Sequence, residues 1–405
     1  MSGQKNSLNP WPLAVSSFTW LDKLKIAKFL FTEEVWTYGK WVREYEKLWE
    51  DEFQVKRAIM VSSGSTANEL IALRRKHELE QSGLWPKFNK VIFPVNTWIS
   101  SVSPWINIGF EPVFVDADIE TLNVNSAAIK EAFEKNTGIG TVFYTTILGF
   151  FDDILESKRI TESNGARFLL DNCESSFSYY FDANNNYNRK QSILGLVTSS
   201  TSIFFSHLTM SGTEGGLIFT NSDEEAEWYI MARSHGLTRG MPDKYKNPDV
   251  SPDFDFYLMG SNYRSSNLQA YMAILDFKRA LDFSHENRLR LFNILNEGIN
   301  DNYVKLFGMK QSLLSNYFCP LALPLVCRTK EQRQKVEFWL KRQGVITRPL
   351  IGGCLLAHTA FKKYGKVDDF PNAKFLHENA IYIGLNTTVT TERMHLLVEE
   401  LNSIK

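Results

Sequence analysis

Four short clusters in this chain combine residue types that chemistry needs. The first is Val61-Ser62-Ser63-Gly64-Ser65-Thr66-Ala67-Asn68, where small hydroxylic residues surround a glycine ahead of the helical stretch Glu69 to Lys76. Such a turn offers free backbone N–H groups and the positive end of a helix dipole to an anion, and glycine lets the backbone approach it closely. The same residues also suit an ordinary helix cap. The second is Asp171-Asn172-Cys173-Glu174, directly after the apolar run Phe168 to Leu170. A carboxylate at the carboxyl end of a parallel strand stands where ligands bind in α/β proteins, and there it could keep a pyridine nitrogen protonated. Capping the next helix is the competing use of Asp171. The third is Ser202-Ile203-Phe204-Phe205-Ser206-His207-Leu208-Thr209-Met210, followed by Gly212-Thr213-Glu214-Gly215-Gly216. Here a strand runs into a glycine-rich turn with one histidine at its mouth, and histidine is the side chain best suited to proton transfer near neutral pH. A structural histidine is the competing reading. The fourth is Gly260-Ser261-Asn262-Tyr263-Arg264, polar residues ahead of a long helix that suit an anion contact or a solvated turn equally.

These clusters need a scaffold, and the pattern between them supplies one. Lys90–Pro94, Glu111–Asp116, Thr141–Leu148, Arg167–Asp171, Ser202–Phe205 and Gly216–Thr220 read as short buried strands, with a helix over Trp98–Ile108. Strands alternating with helices predict a mostly parallel sheet covered on both faces. After about Ser265 the pattern changes to a long helix over Leu268–Leu295, a strand over Leu321–Val326 and helices over Glu331–Arg342 and Thr391–Ser403. The expected division is a large α/β domain over residues 10–265 and a smaller α+β domain over 266–405.

Composition narrows the function classes. A net charge of −1 over 405 residues gives no general electrostatic reason to bind nucleic acid or an anionic membrane. The start, MSGQKNSLNPWPLAV, lacks the apolar run of a signal peptide, and no stretch has the ~18 apolar residues of a membrane span. The four cysteines, Cys173, Cys319, Cys327 and Cys354, are too few and too scattered for a secreted disulfide scaffold. The expectation is a soluble cytoplasmic protein.

Taken together and in this order, the clusters resemble the DegT/DnrJ/EryC1/StrS family of sugar aminotransferases and dehydratases, from Thr37-Tyr38-Gly39-Lys40 to the carboxyl end. Ser63-Gly64-Ser65-Thr66-Ala67 is similar to the family's phosphate loop. Glu111 to Asp116, followed by Asp118 and Leu122-Asn123-Val124-Asn125, is similar to its next strand and turn. Gly260 to Arg264, continuing to Asn267-Leu268-Gln269-Ala270, is similar to its GxNxR motif and following helix. The resemblance implies a fold-type I pyridoxal-phosphate-dependent transferase architecture and a vitamin B6 cofactor. It implies a homodimer with the active site shared between subunits. Gly64, Ser65 and Ser202 would hold the cofactor phosphate, and Trp98 would stack on the pyridine, a core tryptophan being its other reading. Asp171 would pair with the pyridine nitrogen, with Glu174 beside it against the cofactor. Asn262 would reach the neighbouring subunit's phosphate, and Arg348, in Ile346-Thr347-Arg348-Pro349, would contact substrate.

The departure from the family pattern is at position 207. Aminotransferases of the family carry lysine five residues after the serine corresponding to Ser202, and this chain has His207. Imidazole cannot make lysine's covalent link to the cofactor, but it can exchange a proton with a carbon acid. The turn after His207 is one residue longer than usual, so a shifted alignment would put Ser206 there instead. No lysine occurs between Lys190 and Lys244 in either case. The 3-dehydratases of 3,6-dideoxysugar synthesis make this Lys-to-His replacement and show similar runs at Asp171-Asn172-Cys173-Glu174 and His207-Leu208-Thr209-Met210. This resemblance implies pyridoxamine phosphate acting on a nucleotide-linked 4-keto-6-deoxyhexose, GDP-4-keto-6-deoxymannose first, with loss of the C3 hydroxyl and glutamate regenerating the cofactor. A sister branch, acting on a CDP-sugar, adds an iron–sulfur cluster held by a C-x-C-x7-C run and an earlier cysteine. Cys319 and Cys327 keep the seven-residue gap but no C-x-C occurs, so no cluster is expected. An aminotransferase that tolerates histidine and a cofactor-binding protein that has lost its lysine remain the alternatives.

Overall fold

A computed structural model describes residues 8–181, 190–209, 213–306 and 316–404. From the amino end, α1 (Trp20–Thr32) and α2 (Lys40–Phe53) precede β1 (Arg57–Val61), and α3 (Gly64–Gln81) leads to β2 (Lys90–Pro94). Then follow α4 (Ile99–Asn107), β3 (Glu111–Val115), α5 (Ser126–Lys135), β4 (Ile139–Thr145), α6 (Ile154–Ser163) and β5 (Arg167–Asp171). The short strands β6 (Tyr179–Phe181) and β7 (Lys190–Ser192) come before β8 (Ser199–Ser202), β9 (Gly216–Thr220) and α7 (Asp223–Ala232). The rest comprises α8 (Asn267–Phe283), α9 (Leu289–Gly298), β10 (Asn316–Tyr317), β11 (Ala322–Val326), α10 (Lys330–Arg342), β12 (Thr347–Pro349), α11 (Pro371–Asn379), β13 (Ala380–Gly384) and α12 (Thr391–Ser403).

The central sheet runs β1-β9-β8-β5-β4-β2-β3. Its pairs are parallel except those made by β9, which opposes both β8 and β1. The mostly parallel sheet expected from the sequence is therefore present, with β1 as a strand that the pattern did not announce. Both faces are buried, as alternation along β5 shows: Phe168 and Leu170 join one apolar core while Leu169 joins the other.

The strand expected over Ser202–Phe205 lies earlier, and Ser202 is its last residue. Ser202 Oγ accepts from Phe204 N at 3.2 Å and His207 N donates to Phe204 O at 2.8 Å, so the apolar residues after Ser202 curl into a turn. Residues 210–212 of the long glycine-rich turn lie outside the described residues. The long helix expected over Leu268–Leu295 runs as α8 and α9 through a wider turn at Ser284–Arg288. Ser266 caps it, in reciprocal hydrogen bonds with Gln269. A second sheet, β11-β13-β12, is wholly antiparallel and brings Arg348 opposite Tyr382. Among the described residues no helix is long and apolar enough to cross a membrane.

Candidate active site

The carboxyl ends of β5 and β8, the amino end of α3, the turn after Ser202 and residues of β12 and β13 surround one cavity of about 480 Å3. Gly64, Ser65, Trp98, Asp171, Glu174, Ser202, His207 and Arg348 all line it. Asn262 does not; it is exposed outside. A second cleft of about 460 Å3 has its buried charges already matched, with Arg167 bridging Glu78 and Glu225.

Asp171 ends β5 and is 3% exposed. Its Oδ2 accepts from Asn68 Nδ2 and from Ser101 Oγ, each at 2.7 Å, and its Oδ1 accepts from Cys173 N at 3.0 Å. A carboxylate can accept about four hydrogen bonds, so this one is fixed in orientation with acceptor capacity left for a ligand. Both Nδ2 protons of Asn68 are used: the other goes to Ser100 O at 3.2 Å, and its Oδ1 accepts from Ser200 Oγ at 2.5 Å. Ser100 O is available because Pro104, inside α4, has no N–H to give the carbonyl four residues back. The proline and the carboxylate are thus joined through one asparagine.

The phosphate-loop geometry rests on α3. Ser63 caps it, accepting from Thr66 N while the Thr66 hydroxyl accepts from Ser63 N. Gly64 and Ser65, the first helical residues, have N–H groups with no intrahelical acceptor. A Cβ on Gly64 would stand 2.8 Å from both Cys173 Sγ and Ser202 Cβ, so only glycine fits this close approach of three segments.

His207 faces this cavity from the turn, its ring edge-on to Phe204 at 5.7 Å between centroids. Its Nδ1 is buried and finds no hydrogen-bond partner among the described residues. Burial pulls the imidazole down to about 4, against the opposite influence of the Asp171 charge and the Ser202 backbone. Ser206, the alternative from a shifted alignment, also lines the cavity but is not a base at neutral pH. Glu174 lies beyond Asp171, its Oε2 accepting from Leu148 N at 2.6 Å. Leu148 has a φ of +52°, a costly conformation for its type. Burial pushes the Glu174 carboxyl up to about 8, the Leu148 N–H opposing and the Asp171 charge adding. The carboxyl therefore keeps its proton to higher pH than an exposed glutamate does.

Trp98 does not sit within the helix as expected. It is the residue before α4, 56% exposed and on the cavity wall, which removes the core reading. Arg348 is exposed at the rim. The sequence reading missed Asn68, Ser101 and Ser200 as supports of Asp171, and Tyr382 as a lining residue.

The model of the DegT/DnrJ/EryC1/StrS aminotransferase family matches residues 22–402. A GDP-4-keto-6-deoxy-D-mannose 3-dehydratase of Escherichia coli O55:H7 is 28% identical over 92% of this chain and 95% of that protein. The structure of an E. coli GDP-4-keto-6-deoxy-D-mannose-3-dehydratase with bound hydrated PLP superposes with a TM-score of 0.80 at 25% identity, covering 97% of this chain and 98% of that one. The aminotransferase from Psychrobacter cryohalolentis, 18% identical, shares the fold with a TM-score of 0.82 over 98% of each chain. The architecture is the fold-type I one expected.

Proposed function

The chain belongs to the DegT/DnrJ/EryC1/StrS aminotransferase family, and on that premise we propose that it is a pyridoxamine-phosphate-dependent 3-dehydratase of a nucleotide-linked 4-keto-6-deoxyhexose. The substrate named for its relative, GDP-4-keto-6-deoxymannose, is the first candidate. The observation that carries the reading is His207: a half-buried imidazole faces the cavity, and no lysine is among the described residues lining it.

The residues present fit the cofactor. Free N–H groups at Gly64 and Ser65, in a cradle that a Cβ would fill, suit a phosphate, and the remaining acceptor capacity of Asp171 suits a pyridinium. Trp98, on the cavity wall, would stack on the pyridine, and Glu174 in its protonated form would add no second negative charge beside Asp171. When bound, pyridoxamine phosphate supplies an amine for the sugar's 4-ketone and a ring that accepts electrons. Burial favours the neutral form of His207, the form that can take a proton, while making it a weaker base than a free imidazole. Once protonated it is a stronger acid than a free imidazolium, suited to hand that proton to the departing C3 hydroxyl.

Glutamate is the proposed amine donor that restores the cofactor. No iron–sulfur cluster is proposed, because the chain lacks the C-x-C spacing of the cluster-bearing branch. The proposed assembly is a homodimer in which Asn262 serves the partner's phosphate. Its support is the exposure of Asn262 outside its own cavity, the exposed Phe254, Phe256, Tyr257 and Met259 just before it, and the exposed Trp20, Leu21, Leu24 and Phe31 on α1. The proposed division gives residues 10–265 the cofactor and 266–405 the substrate side, and the proposed location is the cytoplasm.

Incubation with pyridoxamine phosphate, glutamate and GDP-, CDP-, UDP- and dTDP-linked 4-keto-6-deoxyhexoses, read by mass spectrometry, tests the reading. A product that keeps the ketone and lacks the C3 oxygen, formed without a reductase, is expected. An amino sugar would make the protein an aminotransferase instead.

A further inference from the structure

Tyr382 lies on the cavity wall, and none of the roles above uses it. Within β13, Ile381 and Ile383 are buried in the core while Tyr382, on the opposite face of the strand, is half-buried. Its Cα is paired with Arg348 on β12 and with Pro324 on β11. Burial pushes its phenol up to about 12, with the charges of Glu174 and Arg348 acting on it in opposite directions. The ring therefore stands within electrostatic reach of both. A tyrosine hydroxyl can donate and accept, and one in a half-buried position normally has a partner. Among the described residues Tyr382 Oη has none.

The sequence of groups along this wall has a chemical order. Arg348 is exposed at the rim, Tyr382 and Glu174 are both half-buried, and Asp171 is buried. A sugar nucleotide entering with its reactive ketone toward Asp171 and His207 would lay its diphosphate near the rim and its hexose hydroxyls between. We propose that Tyr382 is a substrate-contacting residue whose hydroxyl donates a hydrogen bond to a hydroxyl of the hexose, while Arg348 beside it takes the diphosphate. The inference rests on the dehydratase reading, because it requires a hexose in this cavity.

Tyr382→Phe in the full-length, cofactor-loaded protein tests it, with GDP alone and GDP-4-keto-6-deoxymannose as probes. A neutral hydrogen bond is worth about 1 kcal/mol, so KM for the sugar nucleotide should rise about three- to tenfold. Affinity for GDP and for pyridoxamine phosphate should stay at the wild-type value, because neither carries the hexose. Arg348→Ala should weaken GDP and the sugar nucleotide together. An unchanged KM in Tyr382→Phe would overturn the assignment, as would an equal loss for GDP or for the cofactor, since either would mark a structural role. If the wild-type protein binds GDP but neither binds nor converts the sugar nucleotide, the dehydratase reading fails first and takes this role with it.

Discussion

Replacing Glu174 with glutamine should stabilise the protein, and only above a definable pH. The Glu174 carboxyl is pushed from an ordinary value of 4.5 up to about 8, chiefly by burial. Between those values the unfolded chain has released its proton while the folded chain keeps it. The folded state then binds more protons, so stability falls as pH rises through this window. The gap, at about 1.4 kcal/mol per pH unit, bounds the cost at about 5 kcal/mol. Glu174 is only half-buried and solvent relieves part of the charge, so about 2 kcal/mol is the expected effect. Glutamine keeps an acceptor for the Leu148 N–H and cannot ionise. Cofactor-free wild-type and Glu174→Gln proteins should therefore melt alike below about pH 4.5, and the variant should be the more stable by that amount at pH 8.5. Denaturant midpoints measured every half unit from pH 4.5 to 8.5 would show the two curves separating. Curves that stay parallel would mean that Glu174 ionises normally in the fold, and the argument for a protonated acid beside Asp171 would be lost.

Two further substitutions probe the supports of the site. Asn68→Ala removes a donor from Asp171, a donor from Ser100 O and the acceptor of Ser200 Oγ; buried polar groups left unpaired should cost about 2–3 kcal/mol, read as a lowered thermal midpoint, and an unchanged midpoint would show that the network rearranges freely. Gly64→Ala places a Cβ 2.8 Å from Cys173 Sγ and Ser202 Cβ; overpacking of this kind costs about 1–3 kcal/mol of stability, so the thermal midpoint should fall, and pyridoxamine phosphate, titrated by absorbance, should bind more weakly because Ser202 must shift, whereas wild-type affinity would rule out Gly64 as part of the cradle.

What could be read before the structure was local. Asp171 is visible because a short apolar run ends in a carboxylate, and strand direction then fixes where that carboxylate must lie. Ser63 to Thr66 is visible because a capping box occupies consecutive positions. His207 stands out only against the lysine of relatives, since nothing in its own neighbours marks a base. The strand expected through Phe205 failed because apolar residue types were weighed while a single hydroxyl, that of Ser202, takes the N–H the ladder would have used.

What could not be read depends on chain segments brought together by folding. No local pattern connects Pro104 to Asp171. The link exists because the proline leaves Ser100 O without a helical donor, and the asparagine that fills the gap has one more proton to give. A proline inside a nine-residue helix looks like a defect by propensity. Here its missing N–H helps fix Asn68, and Asn68 fixes the carboxylate. Tyr382 was opaque because it comes from the second sheet, and although Glu174 was legible beside Asp171, its raised proton affinity owes to burial that composition does not encode. The acid–base properties of the site therefore belong to its closure: the same His207 and Glu174 side chains in an open loop would titrate near their ordinary values, and the proton transfer proposed for His207 needs the cavity as much as the residue.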